Sequence, residues 1–200
     1  MISIGPFGIL EVMTVFVDPS IHRMTVEEYE QFVADRDLED VELIDGVVYD
    51  VSPEFTLHAC TIAVLFELLQ KHYPGRSVLP AGSVRIDDRC LWNPDVYVLD
   101  VDPDFDFPRY ADAAHVLLAV EVSLTSWSRD TGIKLAAYAR NRIPEYWVID
   151  PRPDGRLVRC RDPQPDADPP VYGSVVTVPL PDGRRSIGQA IDAFDLSGRG

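Results

Sequence analysis

Apolar positions recur along this chain with two periods, and the switches between them divide it into elements. Over 24–36, MTVEEYEQFVADR, the residues Val26, Tyr29, Phe32 and Val33 make a stripe along one side of a helix. Thr25 with Glu28 has the spacing of a capping box at its start. In VELIDGVVYDVS, two short β-prone runs flank Asp45-Gly46, which predicts a hairpin turn. Residues 56–73 return to the helical period, with Ile62, Leu65, Phe66 and Leu69 on one side, and Pro74-Gly75 predicts the stop.

Further along, SVLPAGSVRID predicts one or two strands and DVYVLD another. HVLLAVEVS is a continuous apolar run of the kind found in a central strand covered on both faces. WSRDTGIKLAAYARN predicts a third helix, and EYWVIDP a strand closed by Pro151. RLVRCRD extends the sheet, VYGSVVTVPL reads as a last strand or hairpin arm, and SIGQAIDAFDL as a short terminal helix. Two segments read as loops: the acidic, proline-bearing DVDPDFDFPRYADA and the Pro/Asp-rich DPQPDADPP at 162–170, the latter expected to be flexible. The order of elements predicts an α/β fold of the α+β type, with helices packed on a mixed sheet. One domain is expected over 24–200, preceded by an arm or extra strand over 1–23.

Composition supports that division. A chain of 200 residues with 46% hydrophobic content can bury one real core. No stretch reaches the ~18–20 continuous apolar residues of a membrane span, so no membrane partner is expected. The apolar start, MISIGPFGILEVMTVFVDPS, lacks a basic leader region and is interrupted by Pro6, Glu11 and Asp18. It therefore reads as structure rather than a signal peptide, and the protein as cytoplasmic. Cys60, Cys90 and Cys160 are odd in number and far apart, which suggests neither a disulfide framework nor a zinc cluster.

Charge narrows the picture further. With 33 acidic and 18 basic residues the net charge is −15. That argues against a broad nucleic-acid surface, which needs clustered cations, although a local basic groove remains compatible. Only two of the basic residues are lysines, Lys71 and Lys134, so the placement of a lysine carries information.

Three acidic residues fall where strands should be buried: Glu42 beside the hairpin, Asp95 at the entrance of DVYVLD, and Glu121 inside LLAVEVS. Glu121 is the most telling. A carboxylate among Leu118, Ala119, Val120 and Val122 needs a cation, a hydrogen-bond network or a raised pKa. Two such carboxylates at the ends of adjacent strands can hold a hard divalent ion such as Mg²⁺, with waters and a substrate phosphate completing the shell. Lys134 is the candidate ammonium beside them. It follows Glu121 by 13 residues and shares a helix face with Asp130 and Tyr138. Each residue alone also has a plainer reading. Asp95 could be a strand-entry aspartate, and Asp130 with Lys134 a solvated helix pair. His58 could be a capping or surface residue, and Glu121 the partner of a structural arginine.

As an ordered series these segments resemble a known family. The run VELIDGVVYDVSPEFTLHACTIAVLFELL, then NPDVYVLD, then LLAVEVSLTSWSRDTGIKLAAYARNRIPEYWVIDP, is similar to the Uma-two family of restriction-endonuclease-like proteins, over roughly 24–160. The resemblance implies a PD-(D/E)XK nuclease fold, a mixed central sheet flanked by helices. It implies Asp95 and Glu121 as metal carboxylates for Mg²⁺ or Mn²⁺, with the Val122 carbonyl as a further ligand. Lys134 would replace the lysine that ordinary members of the superfamily carry two residues after the glutamate, where this chain has Ser123. Glu42 and His58 match upstream positions that would line the same pocket. The chain departs from the family pattern in SLTSWSRD, which stands where an S-P-S-T type run is more usual, and at Asn141, where glycine is.

The reading that follows is a metal-dependent endonuclease acting on nucleic acid, with Asp95, Glu121, Lys134, Glu42 and His58 in its site. Two alternatives stay open. One is a catalytically weak or inactive module of the same fold with a regulatory or ligand-binding role, which the net charge favours. The other is a metal-dependent hydrolase of something smaller than duplex DNA. A homodimer is a further expectation, because an apolar core strand such as EYWVIDP invites pairing with a second copy.

Overall fold

The first predicted helix forms with its cap. Helix α1 (Val26–Arg36) begins at Thr25, whose hydroxyl accepts from the Glu28 N–H while the Glu28 carboxylate accepts from the Thr25 N–H. The coordinates are a computed structural model describing residues 22–39, 41–50, 55–101 and 109–194. The arm expected over 1–23 falls almost wholly outside the described residues, as does the middle of the acidic loop.

Strands β1 (Val41–Ile44) and β2 (Val47–Asp50) form the predicted hairpin. Asp45 and Gly46 both take positive φ, 49° and 75°, as this turn requires. The Gly46 backbone is also pressed against its surroundings: a Cβ there would lie 2.6 Å from that of Arg23. Helix α2 (Thr56–His72) follows, and then strands β3 (Ser77–Pro80), β4 (Val84–Asp87), β5 (Cys90–Trp92) and β6 (Val96–Leu99). A short β7 (Ala111–Asp112) precedes β8 (Val116–Val122).

These strands divide between two sheets, where the pattern alone suggested one. The larger has the order β11-β10-β9-β8-β6-β3 and the smaller the order β2-β1-β5-β4-β7. Here β9 is Glu145–Asp150, β10 is Gly155–Gln164 and β11 is Val171–Leu180. SVLPAGSVRID supplies one strand to each sheet. Ala81 (φ 61°) and Gly82 (φ 123°) redirect the chain between them. Strand β5 has only three residues, too few for any period to declare it.

The larger sheet is mixed: β8 and β9 run parallel, and the remaining pairs are antiparallel. One face packs on α2 and on α5 (Ile187–Asp192), joining Leu65, Leu69, Ile187 and Ile191 to Val96, Val120, Trp147 and Leu157. The other face meets the smaller sheet and a helical segment made of α3 (Trp127–Arg129), a π-helical turn (Asp130–Lys134) and α4 (Leu135–Arg140). That core joins Trp92, Val84 and Ile86 of the smaller sheet to Ala119, Tyr146 and Val148 of the larger, with Tyr138 between them. Together this is the expected mixed sheet flanked by helices, with a second sheet added.

Three further differences matter. The Pro/Asp-rich segment expected as a loop gives its first residues, 162–164, to β10, because pairing with β11 continues through Gln164↔Val171. The EYWVIDP strand, β9, lies inside the sheet between β8 and β10, so all its backbone groups face partners and the pairing argument for a dimer loses its basis. The third helix is not regular, since its middle turn is π-helical. No helix among the described residues is long and apolar enough to cross a membrane.

Candidate active site

Strand β8 is buried along almost its whole length, and Glu121 at 5% exposure is its acidic residue. Side chains alternate across a strand, so Glu121 shares a face with Ala119 and looks toward the helical segment and the smaller sheet. The β6–β8 register pairs Val96 with Val120 and Tyr97 with Ala119. Continued by one residue, it sets Asp95 opposite Glu121. The sequence placed the two on adjacent strands, and the antiparallel register sets them across from each other.

Lys134 and Glu42 arrive from different elements. The Lys134 ammonium lies 2.9 Å from Glu121 Oε1 and 3.1 Å from each oxygen of Glu42. Lys134 and Glu42 are each only 2% exposed. Glu42 is held from the other side by the Asn93 N–H, 3.0 Å from its Oε1. Burial and spacing thus overturn the plain reading of Lys134 as a surface partner of Asp130. The ammonium goes to two glutamates, while Asp130 Oδ2 accepts from the Ser126 hydroxyl.

The π turn explains how one helix does this. Its wider turn keeps Asp130 and Lys134 on the same inward face, and Tyr138 continues that face. The Tyr138 hydroxyl donates to Glu121 Oε1 at 3.3 Å, and the Tyr146 hydroxyl donates to the Asp130 carbonyl at 3.0 Å. The Trp92 ring meets Tyr138 edge-on at 4.5 Å and lies 5.9 Å from the Lys134 ammonium. The Trp92 and Tyr138 rings thus stand beside the buried ammonium and its glutamate partner. Spacing had placed Tyr138 on the right face without a role for its hydroxyl. Trp92 and Asn93 had no signal, because what matters there is a contact between sheets and a backbone N–H.

The second half of the cluster centres on Asp95. Its Oδ2 accepts from the Val122 N–H at 2.6 Å, and its Oδ1 lies 3.2 Å from His58 Nε2. His58 sits in the first turn of α2, so that helix supplies the partner across the sheet end. Val122, expected to offer its carbonyl, meets the cluster through its N–H. The five predicted side chains therefore fall in two linked groups: Glu42, Lys134 and Glu121 in one, His58 and Asp95 in the other.

The electrostatics are lopsided. Burial pushes the Glu121 carboxyl well above the usual range; Lys134 draws it back, while Asp130, Asp95 and Glu42 push it up again. Burial alone would lower the Lys134 ammonium, but Glu121, Glu42 and Asp130 outweigh that and hold it above the ordinary lysine range. The two directions are compatible, because one ammonium cannot neutralise four neighbouring carboxylates. Asp130 is likewise raised by burial, against the opposing pull of Lys134 and Ser126. Its Oδ1 is buried without a hydrogen-bond partner.

Among the described residues no group of three or more His, Cys, Asp and Glu is disposed to hold a metal ion. The donors present still suit a hard divalent cation. Asp95 and Glu121 offer two carboxylates across one strand pair, and Mg²⁺ commonly takes one or two with water for the rest. The excess of buried negative charge is of the sign a cation would relieve.

Comparison with known proteins agrees with this architecture. A solved structure from Anabaena variabilis ATCC 29413, described as a putative nuclease belonging to DUF820, superposes with a TM-score of 0.58. It covers 80% of this chain and 86% of its own, at 14% identity, a likeness of fold. No curated protein matches the chain. The profile of the Uma2 family, described as "Putative restriction endonuclease", matches residues 26–187, and the chain belongs to that family.

Proposed function

We propose that this protein is a metal-dependent nuclease that hydrolyses phosphodiester bonds at the Asp95–Glu121 strand pair. The observation that carries the reading is the buried lysine brought to Glu121 from a separate helix, beside an aspartate on the neighbouring strand. Asp95 and Glu121 would hold Mg²⁺ or Mn²⁺. When bound, such an ion supplies Lewis acidity toward the phosphate and a lowered pKa for its water.

The chain's own residues do the rest. Lys134 places a positive charge where negative charge develops on the phosphate, in a site closed off by Trp92 and Tyr138. Glu42 holds the ammonium against Glu121, which sets its position. Tyr138 fixes the Glu121 carboxylate, and His58 with the Val122 N–H fixes that of Asp95. The lysine thus acts from the helix at the place two residues after the glutamate where this chain has Ser123.

The test is cleavage of labelled DNA and RNA by purified protein in Mn²⁺, beside Asp95→Ala. Cleavage by the wild type and its loss in the variant are expected; equal background from both would sink the reading. One observation favours the alternative of an inactive module. Lys134 already satisfies both glutamates, as a purely structural ion-pair cluster would. Calorimetry decides between them: the module predicts no Mn²⁺ binding that depends on Asp95 and Glu121.

A further inference from the structure

The segment SLTSWSRD puts Trp127 at the start of α3, directly after the loop that leaves β8. Trp127 packs partly on the core that lies beneath Glu121. Its neighbour Ser126 donates its hydroxyl to Asp130, so the ring is tied to the candidate site by one residue of backbone. The Arg156 guanidinium lies over the Trp127 ring, 4.7 Å from its centroid.

The sheet register locates Arg156 relative to the carboxylates. Glu121 pairs with Val148, and Val148 pairs with Val158. Arg156 precedes Val158 by two residues and so shares its face, which is the face of Glu121. Its own row runs through Asp150, whose neighbour on β8 is Ser123 when the parallel register is continued by one residue. Arg156 therefore stands one row beyond Glu121 and two strands across, on the order of 10 Å away at the ordinary strand spacing. It is exposed; its charge is felt by Asp150, its partner across the ladder, although among the described residues no carboxylate lies within salt-bridge distance of it. Its neighbour Arg152 differs in this: that guanidinium makes two hydrogen bonds to Asp150, at 2.8 and 2.7 Å.

We propose that Arg156, carried on the Trp127 ring, docks single-stranded nucleic acid at the rim of the site. A phosphate binds its guanidinium and an unpaired base stacks on the Arg156–Trp127 platform. The proposal rests on the nuclease reading and names its substrate class. A guanidinium placed over an aromatic ring offers an N–H fork and a planar face, the two features that bind a phosphate and a base. A single platform suits an unstacked nucleotide, because a base inside a duplex cannot reach it. Tracking a duplex backbone needs many cations, which a chain of net charge −15 does not favour.

Tryptophan fluorescence tests this directly. Trp92 and Trp147 are fully buried, so a bound nucleotide can reach only Trp127. Metal-free protein in chelator is titrated with a short oligothymidylate. The expected result is a saturable change in emission, absent in Trp127→Phe. Arg156→Ala should weaken binding about tenfold, followed by anisotropy of the labelled oligonucleotide. Arg156→Lys, which keeps the charge without the plane, should fall between. A duplex of equal length should bind more weakly. Unchanged affinity in Arg156→Ala, or equal binding of duplex, overturns the proposal. So does loss of thermal stability in that variant without loss of affinity, which would make the pair a structural pin only. Binding that needs Arg156 without any Asp95-dependent cleavage would leave the docking site and remove the nuclease reading. Cleavage indifferent to Arg156 would do the reverse.

Discussion

The Lys134 ammonium lies 2.9 Å from Glu121 Oε1, although the two residues are 13 positions apart and belong to a helix and a strand. The same ammonium reaches Glu42 of the second sheet. One side chain thus ties together both sheets and the helical segment between them.

Removing that tie leaves two buried glutamates without their cation. Lys134→Ala should destabilise the fold by about 3–5 kcal/mol in urea denaturation. The double variant Lys134→Met, Glu121→Gln should cost clearly less than the sum of its single changes, because it removes both charges of one pair. Strict additivity would mean the pair is not coupled.

A divalent cation should relieve the negative excess around Glu121. Saturating Mg²⁺ or Mn²⁺ should raise the melting temperature of the wild type by several degrees, since a ligand at about a hundredfold its Kd contributes about 2.7 kcal/mol. Glu121→Gln, which removes one of the two carboxylates that would hold the ion, should lose that response. Differential scanning calorimetry with and without the ion separates these outcomes.

The three cysteines should react unequally. Cys60 is exposed, whereas Cys90 and Cys160 are buried. Burial raises the Cys90 thiol, with Asp87 adding to it, and pushes Cys160 up to about 12. A thiol that stays protonated and covered is not a nucleophile at neutral pH. Iodoacetamide on the native protein should therefore modify Cys60 alone, as read by mass spectrometry, and all three cysteines after unfolding.

Asp150 supplies an acid-limb effect. Burial alone would raise its carboxyl, but hydrogen bonds from the Arg152 side chain and backbone bring it below the usual carboxylate range. A lowered native pKa contributes stability that is present above the unfolded value of about 4 and is lost as pH falls through the native one. With Arg152 half exposed, the effect stays at or below about 1 kcal/mol. Asp150→Asn should flatten that part of the stability–pH curve and leave neutral pH little changed.

Much of the fold was legible because it rests on local signals. The Thr25–Glu28 cap, the Asp45-Gly46 turn and the buried run through Glu121 are each written in adjacent residues. The division into two sheets was not, because β5 pairs with β1 and β4 with β7, strands that lie far from them in sequence. Asp95, Glu121 and Lys134 stood out as candidates because acid in an apolar strand and a rare lysine are compositional anomalies.

By itself the sequence determined which residues are costly to bury, and therefore which must find partners. Only the tertiary structure decided who those partners are. Lys134 is delivered to Glu42 and Glu121 by a π turn, and Asp95 is held by His58 and the Val122 N–H. Burial cost belongs to a side chain and its neighbours along the chain, whereas pairing depends on strand register and helix phase. Those are set by packing among segments that the sequence keeps apart.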